Sequence, residues 1–464
     1  MRRLSASDTE ATATPPHAAS PAEGGSSARL GSAWRQWYLV IVLTAIYTLG
    51  FIDRSALNLL VNPIQHDLGV SEVQMSLLIG FSFVTLYSLL SIPGGYLADI
   101  FNRRLMIAVA IFFWSCAATL CGFASSYWQL YAGRVGLGVG EAALPPAAYS
   151  LLRDGVAPDR RGRAFSVYQV GLTLGTGLGA LIGGFLYDIG ERRALHGWPV
   201  VGDLKPWQLA IVVPGLSGLL LAGLALTLRE PPRTTSAAAG PARASFGEMF
   251  RYVRRSWRVY APIFGGVTCI SFAGGGWNAW MAAAMGRAWD LSPASVGKTL
   301  GLIGLLVFPV SAFIIGWLID LQRRKQRPAG PFWVSIVGCA LNLVPAMLVF
   351  QAPTTTLMWV AYAFSVFVNG GVQISCGIML ANVTPGRLMG KVTAFYYLVA
   401  NLVGLGLGVT AYAAVAQYGF SGRYALAHAM MLCYALTIGL TILILLLGTR
   451  EVSRWYARQE VEPA

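Results

Sequence analysis

The chain of 464 residues has few charged side chains, and this scarcity decides its class. Only 12% of its residues are charged, 55% are hydrophobic, and the mean hydropathy is +0.58. Because a soluble globular protein carries about 25% charged residues, a soluble fold is excluded. The apolar runs are also too long for the weakly alternating strands of a membrane β-barrel. The composition therefore predicts an integral membrane protein made of helices.

Residues that build catalytic and metal sites are scarce as well. The 4 His are scattered, and the 6 Cys lie inside apolar runs without CxxC spacing. The chain has no phosphate-binding loop, Walker pattern or HExxH motif. ATP-driven transport, zinc chemistry and a disulfide framework therefore have no support. Since no nucleophile–base pair is visible either, we expect no enzymatic activity and no cofactor.

Long apolar runs, in contrast, are abundant. Each of the twelve can cross about 30 Å of hydrocarbon at a rise of about 1.5 Å per residue. They cover approximately residues 37–60, 72–97, 105–124, 128–151, 164–189, 207–228, 258–285, 293–320, 331–350, 356–382, 391–418 and 423–448. The predicted fold is all-α, with twelve transmembrane helices in two bundles of six.

The polar segments predict the domain organisation. Residues 1–36 are poor in apolar residues and read as a disordered tail, with no apolar stretch near the start that would mark a signal peptide. A first bundle (37–228) and a second bundle (258–448) flank a linker at 229–257, whose basic part with interleaved aromatics predicts an amphipathic helix on the membrane surface. A second tail follows at 449–464.

The distribution of positive charge predicts the orientation. The net charge of +14 resides mainly in short loops, which argues against nucleic-acid binding. If the N-terminus lies inside, cytoplasmic segments carry 26 of the Lys and Arg residues and outer loops carry 5. The positive-inside rule then places both termini in the cytoplasm, with the protein in the cell inner membrane.

A short motif occurs once in each half of the chain. The sequence Gly95-Tyr-Leu-Ala-Asp99 is followed by Arg103 and Arg104, and Gly316-Trp-Leu-Ile-Asp320 is followed by three further basic residues. This internal repeat is typical of two-bundle transporters. Asp99, Arg103, Arg104 and Asp320 are predicted to act in gating. The alternative is simple positive-inside anchoring, which explains the arginines but not the repeated Asp.

The motif resembles the loop signature of the major facilitator superfamily, G-x-L-x-D-x-x-x-R-R, with Asn102 in place of a glycine. Arg134 to Gly140 is similar to the superfamily's R-x-x-x-G-x-G. Glycines recur every fourth residue in the fifth run, as in its fifth helix, at positions 171, 175, 179 and 183. The proline of the antiporter form of that helix is missing, so the resemblance implies no direction of transport.

A narrower resemblance is to the Spinster-like branch. It is carried by Phe51-Ile-Asp-Arg54, Asn102-Arg-Arg104, Gly136 to Ala142, and Asp159 to Arg163. Members of that branch include proton-coupled exporters of lysophospholipids and of sphingosine-1-phosphate. The resemblance therefore implies a proton-coupled transporter of an amphipathic, anionic substrate, and it is less specific for the substrate than for the branch.

Two acidic and two basic residues lie within the predicted first and fourth spans. Asp53 lies about 24 Å up the first span, and Arg134 about 9 Å and Glu141 about 20 Å down the fourth. Intramembrane charges are costly and point to function. Asp53 and Glu141 are predicted to couple protons, Arg54 to hold an anionic headgroup, and Arg134 to pair with Asp53 or only to orient its neighbours. The alternative is a fixed charge cluster that joins the helices and binds nothing.

Polar and aromatic residues in the second half are candidates for the substrate path. These are Trp277, Asn278, Asn369, Gln373 and Tyr397. Amides are costly in lipid and are expected to face a cavity, whereas ordinary packing is the alternative for the aromatics.

We therefore expect a proton-coupled secondary transporter that works by alternating access. Its partners would be a small amphipathic or anionic substrate such as a lysophospholipid, protons and membrane lipids, with a monomeric protein. An aromatic acid or a drug is an alternative cargo, and an uncoupled sensor or scramblase is an alternative function.

Overall fold

The structure is a computed structural model that describes residues 32–199, 202–233, 245–324, 329–369 and 372–461. The side chains of residues 320, 323–324, 372–374 and 458–461 also lie outside the description. The predicted N-terminal tail up to residue 31 and residues 234–244 of the predicted linker therefore lie outside the described residues.

The first half of the chain forms nine helices over the described residues. They are α1 (Ala33–Leu59), α2 (Val61–Leu68), α3 (Glu72–Ser76), α4 (Ser82–Ile100), α5 (Arg103–Gly122), α6 (Tyr127–Glu141), α7 (Leu144–Gly155), α8 (Arg161–Glu191) and α9 (Pro206–Ala225). A π-helical segment, Leu77–Phe81, joins α3 to α4 into one continuous span.

The second half is also helical, and no strand occurs among the described residues. Its helices are α10 (Phe246–Arg255), α11 (Trp257–Trp289), α12 (Pro293–Arg324), α13 (Gly330–Gln351), α14 (Thr355–Asn369), α15 (Val372–Val383), α16 (Gly386–Val399), α17 (Gly408–Gly419) and α18 (Ala425–Val461). The π-helical segment Ala400–Leu407 joins α16 to α17. Because α18 continues to Val461, most of the predicted C-terminal tail extends the last helix.

Twelve spans result, as the sequence predicts. In the described ranges, ten helical stretches are long and apolar enough to cross a membrane without interruption. The fourth span consists of α6 and α7, which are separated where Pro145 and Pro146 follow Glu141, because proline cannot donate to the helical ladder. The tenth span consists of α14 and α15. The spans form the two six-helix bundles of the fold.

The predicted glycine row on α8 seats helix α1. A Cβ atom at Gly175 would lie 2.3 Å from the carbonyl oxygen of Thr48, and one at Gly179 would lie 2.7 Å from that of Ile52. The two backbones therefore approach as closely as only glycine permits. Ser55 adds a hydrogen bond of 2.7 Å from its Oγ to the Thr176 carbonyl. These contacts with α8 hold the part of α1 that carries Asp53 and Arg54 in position.

A second glycine row on α8 faces the other bundle. A Cβ atom at Gly177 would meet Leu305 of α12 at 2.6 Å, and one at Gly184 would meet the Ala294 carbonyl at 3.1 Å. Helix α12 contributes Gly301, whose Cβ would lie 2.6 Å from the Gly177 carbonyl. Helix α8 thus packs closely against its own bundle on one side and the partner bundle on another.

The two bundles are hydrogen-bonded at one end of the molecule. We call the end where α1 begins the terminal face, and the opposite end the far face. At the far face, Arg287 of α11 donates to Asn62 Oδ1 (2.9 Å) and Gln65 Oε1 (2.7 Å) of α2, and it pairs with Glu72. Three further hydrogen bonds join the bundles in this half, one between α2 and α11 and two between α3 and α17.

Apolar packing also differs between the two ends of the molecule. Buried side chains at the far ends of the first bundle, including Leu60, Ile64, Met75 and Leu78, continue into the core of the second bundle. Those nearer the terminal face form a separate core whose buried members belong to the first bundle and its end at Leu228. The molecule is therefore closed at the far face.

Replacing Gly175 by Ala is expected to destabilise the protein by about 1–3 kcal/mol, because the added methyl group overlaps the Thr48 carbonyl. Thermal unfolding of purified protein in detergent measures the effect. Gly162→Ala is the matched control, since position 162 of the same helix has open space around it. Equal melting temperatures for the two variants would contradict the close packing of α1 on α8.

Arg287→Gln is expected to weaken closure of the far face by about 1–2 kcal/mol, because hydrogen bonds to a charged group are lost between the bundles. Spin labels at positions 203 and 421, in a cysteine-free background, should report a larger population with a long distance. Arg423→Gln is the control, because Arg423 bonds only to carbonyls of α11 in its own bundle. An unchanged distance distribution for Arg287→Gln would show that the Arg287 contacts do not hold the far face closed.

Candidate functional site

An ion pair links the first and fourth spans inside the first bundle. Arg54 of α1 donates through Nη2 to Oε2 of Glu141, the last residue of α6. The Glu141 side chain is 4% exposed and that of Arg54 is 25% exposed. Gly50, one turn before Arg54, leaves room for the carboxylate, since a Cβ there would lie 3.3 Å from Oε2.

Aromatic rings surround the Arg54 guanidinium. Its Cζ lies 4.1 Å from the ring centre of Phe83, 4.8 Å from that of Phe51 and 5.1 Å from that of Tyr87. The guanidinium of Arg134 lies 5.4 Å from the same Phe83 ring. Cation–π attraction is stronger where water is excluded, so the rings stabilise two cations that would otherwise be costly in the membrane.

Asp53 and Arg134 share a small cavity but do not form the ion pair that their similar depth predicts. Among the described residues, Asp53 Oδ2 and Arg134 Nε are buried without a hydrogen-bond partner. Both residues line a cavity of about 10 Å³, together with Ala118, Cys121 and Leu137. That volume suits one water molecule. The direct ion pair forms instead between Arg54 and Glu141.

Glycines of the R-x-x-x-G-x-G motif bring α6 to these positions. A Cβ at Gly138 would lie 2.8 Å from the Phe83 carbonyl, and one at Gly140 would lie 2.7 Å from the Trp114 Cβ. The motif therefore lets α6 approach α4 and α5 closely, which places Arg134 and Glu141 beside the aromatic rings.

A second charge cluster lies at the terminal end of the first bundle. Arg103, at 1% exposure, donates to Asp154 Oδ2 (2.5 Å), Glu230 Oε1 (2.7 Å), Ser150 Oγ (2.9 Å) and the Pro231 carbonyl (3.0 Å). These partners all belong to the first half of the chain. The cluster therefore ties α5, α7 and the segment after α9 together.

The other predicted gating residues have different surroundings. Arg104 donates its backbone N–H to Glu230 (3.0 Å) and its side chain to the Leu228 carbonyl (3.2 Å). Asp99 is exposed, and its carbonyl oxygen accepts a hydrogen bond from Arg233. Arg233 also donates to the Phe101 carbonyl (2.6 Å), so it caps the end of α4. The Asp320 side chain lies outside the described residues.

The second-half candidates do not form one cluster. Trp277 is buried, with its ring centre 4.6 Å from that of Tyr434 and 5.9 Å from that of Phe350, so it packs in the core rather than along a path. Asn278 is exposed and donates to the Gly274 carbonyl (2.9 Å).

The remaining candidates differ in exposure. Tyr397 is 56% exposed beside the buried Tyr396, and Asn369 is half-buried at the end of α14. The Gln373 side chain lies outside the description.

A family comparison identifies the fold. The Major Facilitator Superfamily model matches residues 43–409. The chain belongs to the major facilitator superfamily. It is thus a transporter of that superfamily, and the predicted two-bundle membrane fold is confirmed.

Relatives of this facilitator confirm the predicted likeness to the Spinster-like branch. An MFS-type efflux pump of Mycolicibacterium smegmatis is 27% identical over 312 residues, which cover 67% of this chain and 68% of that protein. Protein spinster homolog 1 of Mus musculus is 25% identical over 398 residues, 79% of this chain and 70% of that protein. The chain is similar to both.

A solved structure supports the same fold. A bacterial homologue of the human lysosomal transporter Spinster, in an inward-facing and unoccupied conformation, superposes with a TM-score of 0.77. The two chains are 24% identical, and the match covers 91% of this facilitator and 97% of the other chain.

Several residues of the facilitator's charge clusters were not predicted from the sequence. Phe83 and Tyr87 lie four residues apart, on one face of a helix. This spacing within an apolar span was the only sequence signal for them. Asp154 and Glu230 lie in separate loop-proximal segments far from Arg103 in sequence, and no local pattern links them to it.

Arg103→Gln is expected to lower the free energy of unfolding by about 1.5–3 kcal/mol, because buried Asp154 loses its charged hydrogen bond to Arg103 and keeps the exposed Arg153 as a cationic partner. Thermal unfolding measures this loss, with Arg104→Gln as control, since half-buried Arg104 keeps its backbone bond to Glu230. A residue that acts only in gating would alter transport without lowering the melting temperature.

Proposed function

We propose that this facilitator is a proton-coupled secondary active transporter that moves an amphipathic, anionic substrate such as a lysophospholipid by alternating access. The observation that carries the proposal is the buried assembly of two carboxylates and two guanidiniums: Asp53, Glu141, Arg54 and Arg134. Ionisable groups at membrane depth are retained for transport or proton transfer far more often than for stability alone.

Charge balance links protons to substrate. With all four groups ionised, the assembly has no net charge. One added proton on Asp53 or Glu141 leaves one net positive charge, which is costly in a water-poor environment. An anionic headgroup restores neutrality. Protonation therefore favours binding of an anion, and release of the anion favours loss of the proton.

Arg54 is the group that exchanges partners. It is the more exposed member of the ion pair, and its planar fork suits a phosphate or carboxylate. When Glu141 is protonated, its attraction for the guanidinium falls, and Arg54 becomes available to the headgroup. The rings of Phe51, Phe83 and Tyr87 keep the cation in place during the exchange. Arg134 orients Asp53 across the shared cavity.

Closure of the far face fits one state of an alternating-access cycle. The positive charges predict that the terminal face is cytoplasmic, with the protein in the inner membrane, so the described state would be inward-facing. Likeness to an inward-facing Spinster homologue supports this assignment. Rocking of one bundle against the other would open the far face, and the repeated motif with Asp99 and Asp320 would hold the terminal ends in the opposite state.

The substrate class rests on the Spinster-like relatives and on the cationic Arg54. Asn278 and Tyr397, both exposed, would line the path in the second bundle, with Asn369 and Gln373 near the break in the tenth span. A second candidate is a drug or an aromatic acid on the same scaffold, because an efflux pump is among the relatives. The proposed unit is a monomer.

The test is flux of labelled lysophospholipid into proteoliposomes with and without an imposed proton gradient. The gradient should accelerate flux by the wild type, and Asp53→Asn and Glu141→Gln should reduce flux to the level of protein-free liposomes, because each removes a protonation site. Asp188→Asn is the control, since this carboxylate pairs only with Arg192 at a helix end.

Wild-type flux through both site variants would refute the coupling role. Gradient-driven flux of an aromatic acid or a drug, with no lipid flux, would keep the mechanism and change the substrate class. Lipid flux that ignores the gradient would favour an uncoupled scramblase.

A further inference from the structure

Helix α10 is a short helix outside the twelve spans. Ser245 caps its start, since Ser245 Oγ accepts a hydrogen bond from the Glu248 backbone N–H at 3.0 Å. The helix ends at Arg255, and α11 begins two residues later at Trp257. Because α11 enters the membrane there, α10 lies at the level of the lipid headgroups on the terminal face.

Contacts with the eleventh span hold α10 in place. Met249 is fully buried, and Glu248 pairs with Arg387 Nη1 at 3.0 Å. The Phe250 and Phe395 ring centres are 5.3 Å apart, and Lys391 Nζ lies 4.6 Å from the Phe246 ring centre. The helix is thus attached to α16 along one side.

The other sides of α10 form two adjacent strips. Successive residues lie about 100° apart around a helix, so Phe246 and Phe250 share a strip next to the docked side. They remain 57% and 50% exposed. Arg251, Arg254 and Arg255 follow on the next strip, are exposed, and form no ion pair among the described residues.

We propose that α10 is a docking surface for anionic membrane lipid. The geometry points to this partner because the exposed aromatic strip lies beside the arginine strip. At a bilayer surface, the rings would enter the boundary of the acyl chains while the arginines contact headgroup phosphates. Trp257, 58% exposed at the start of α11, extends the aromatic strip toward the hydrocarbon.

The charge of the surface selects anionic lipid. Glu248 is already paired with Arg387, so the three arginines of α10 face outward without compensation. Each basic residue near a membrane surface gains free energy from anionic headgroups, and the gain decays with the screening length. Since α10 is attached to α16, bound lipid also restrains the terminal end of the eleventh span. This inference does not depend on the proposed substrate or on proton coupling.

The test is hydrogen–deuterium exchange of the full-length protein in nanodiscs of phosphatidylcholine alone or with phosphatidylglycerol as a third of the lipid. Exchange of the α10 amides should be slower in the anionic nanodiscs, by roughly fivefold for each arginine that contacts a headgroup. The double variant Arg254→Gln with Arg255→Gln should lose most of this slowing, and added salt should diminish it in the wild type.

A double variant with Arg160→Gln and Arg163→Gln is the matched control, since it removes the same charge from the start of α8 near the terminal face. Exchange in α11 verifies that each variant is folded. Equal α10 exchange in both lipids for the wild type would overturn the proposal. Equal slowing in the wild type and the Arg254/Arg255 variant would also overturn it, because the arginines would then not be the contact.

Discussion

The ion pair between Arg54 and Glu141 is the interaction on which the first bundle is organised. A lone charge at this depth would be costly, and a pair is tolerated only when its geometry is held tightly. Two glycine contacts provide that geometry: α1 is seated on α8, and α6 is drawn toward α4 and α5. The rings around Arg54 replace part of the hydration that the cation loses. The backbone contacts, the aromatic packing and the positions of the charges thus all stabilise this ion pair.

The two bundles have unequal chemistry in the described part of the chain. Both buried charge clusters, around Arg54 and around Arg103, belong to the first half of the chain, and the second cluster includes Glu230 directly after the first bundle. The second bundle contributes uncharged polar side chains and the Arg287 contacts that close the far face. The buried ionisable groups are therefore concentrated in the first half of the chain, whereas hydrogen bonds from Arg287 connect the two bundles at the far face.

The sequence predicted the spans and the charged positions but not their pairing. Long apolar runs determine the twelve spans because hydrocarbon thickness leaves few alternatives, and intramembrane charges are rare enough to be found by inspection. Depth along a helix follows from residue counting. The rotation of α1 relative to α6 does not, and that rotation decides that Arg54, rather than Asp53, contacts the fourth span directly. The surroundings of Trp277 could not be predicted either, because an aromatic residue in a span can pack in a core or line a cavity. The partners of Arg103 come from distant segments and required the tertiary structure.

Helix α8 has a consequence for how such a transporter can diversify. One of its glycine rows seats α1 and the charge site, and the other faces α12 of the partner bundle. A larger side chain in either row would shift the helix and disturb the opposite contact as well. The packing of the charge site and the packing between the bundles therefore depend on the same helix, and few substitutions there can leave both unchanged. The sequence is freer to change on surfaces away from α8, such as the exposed surface around Asn278.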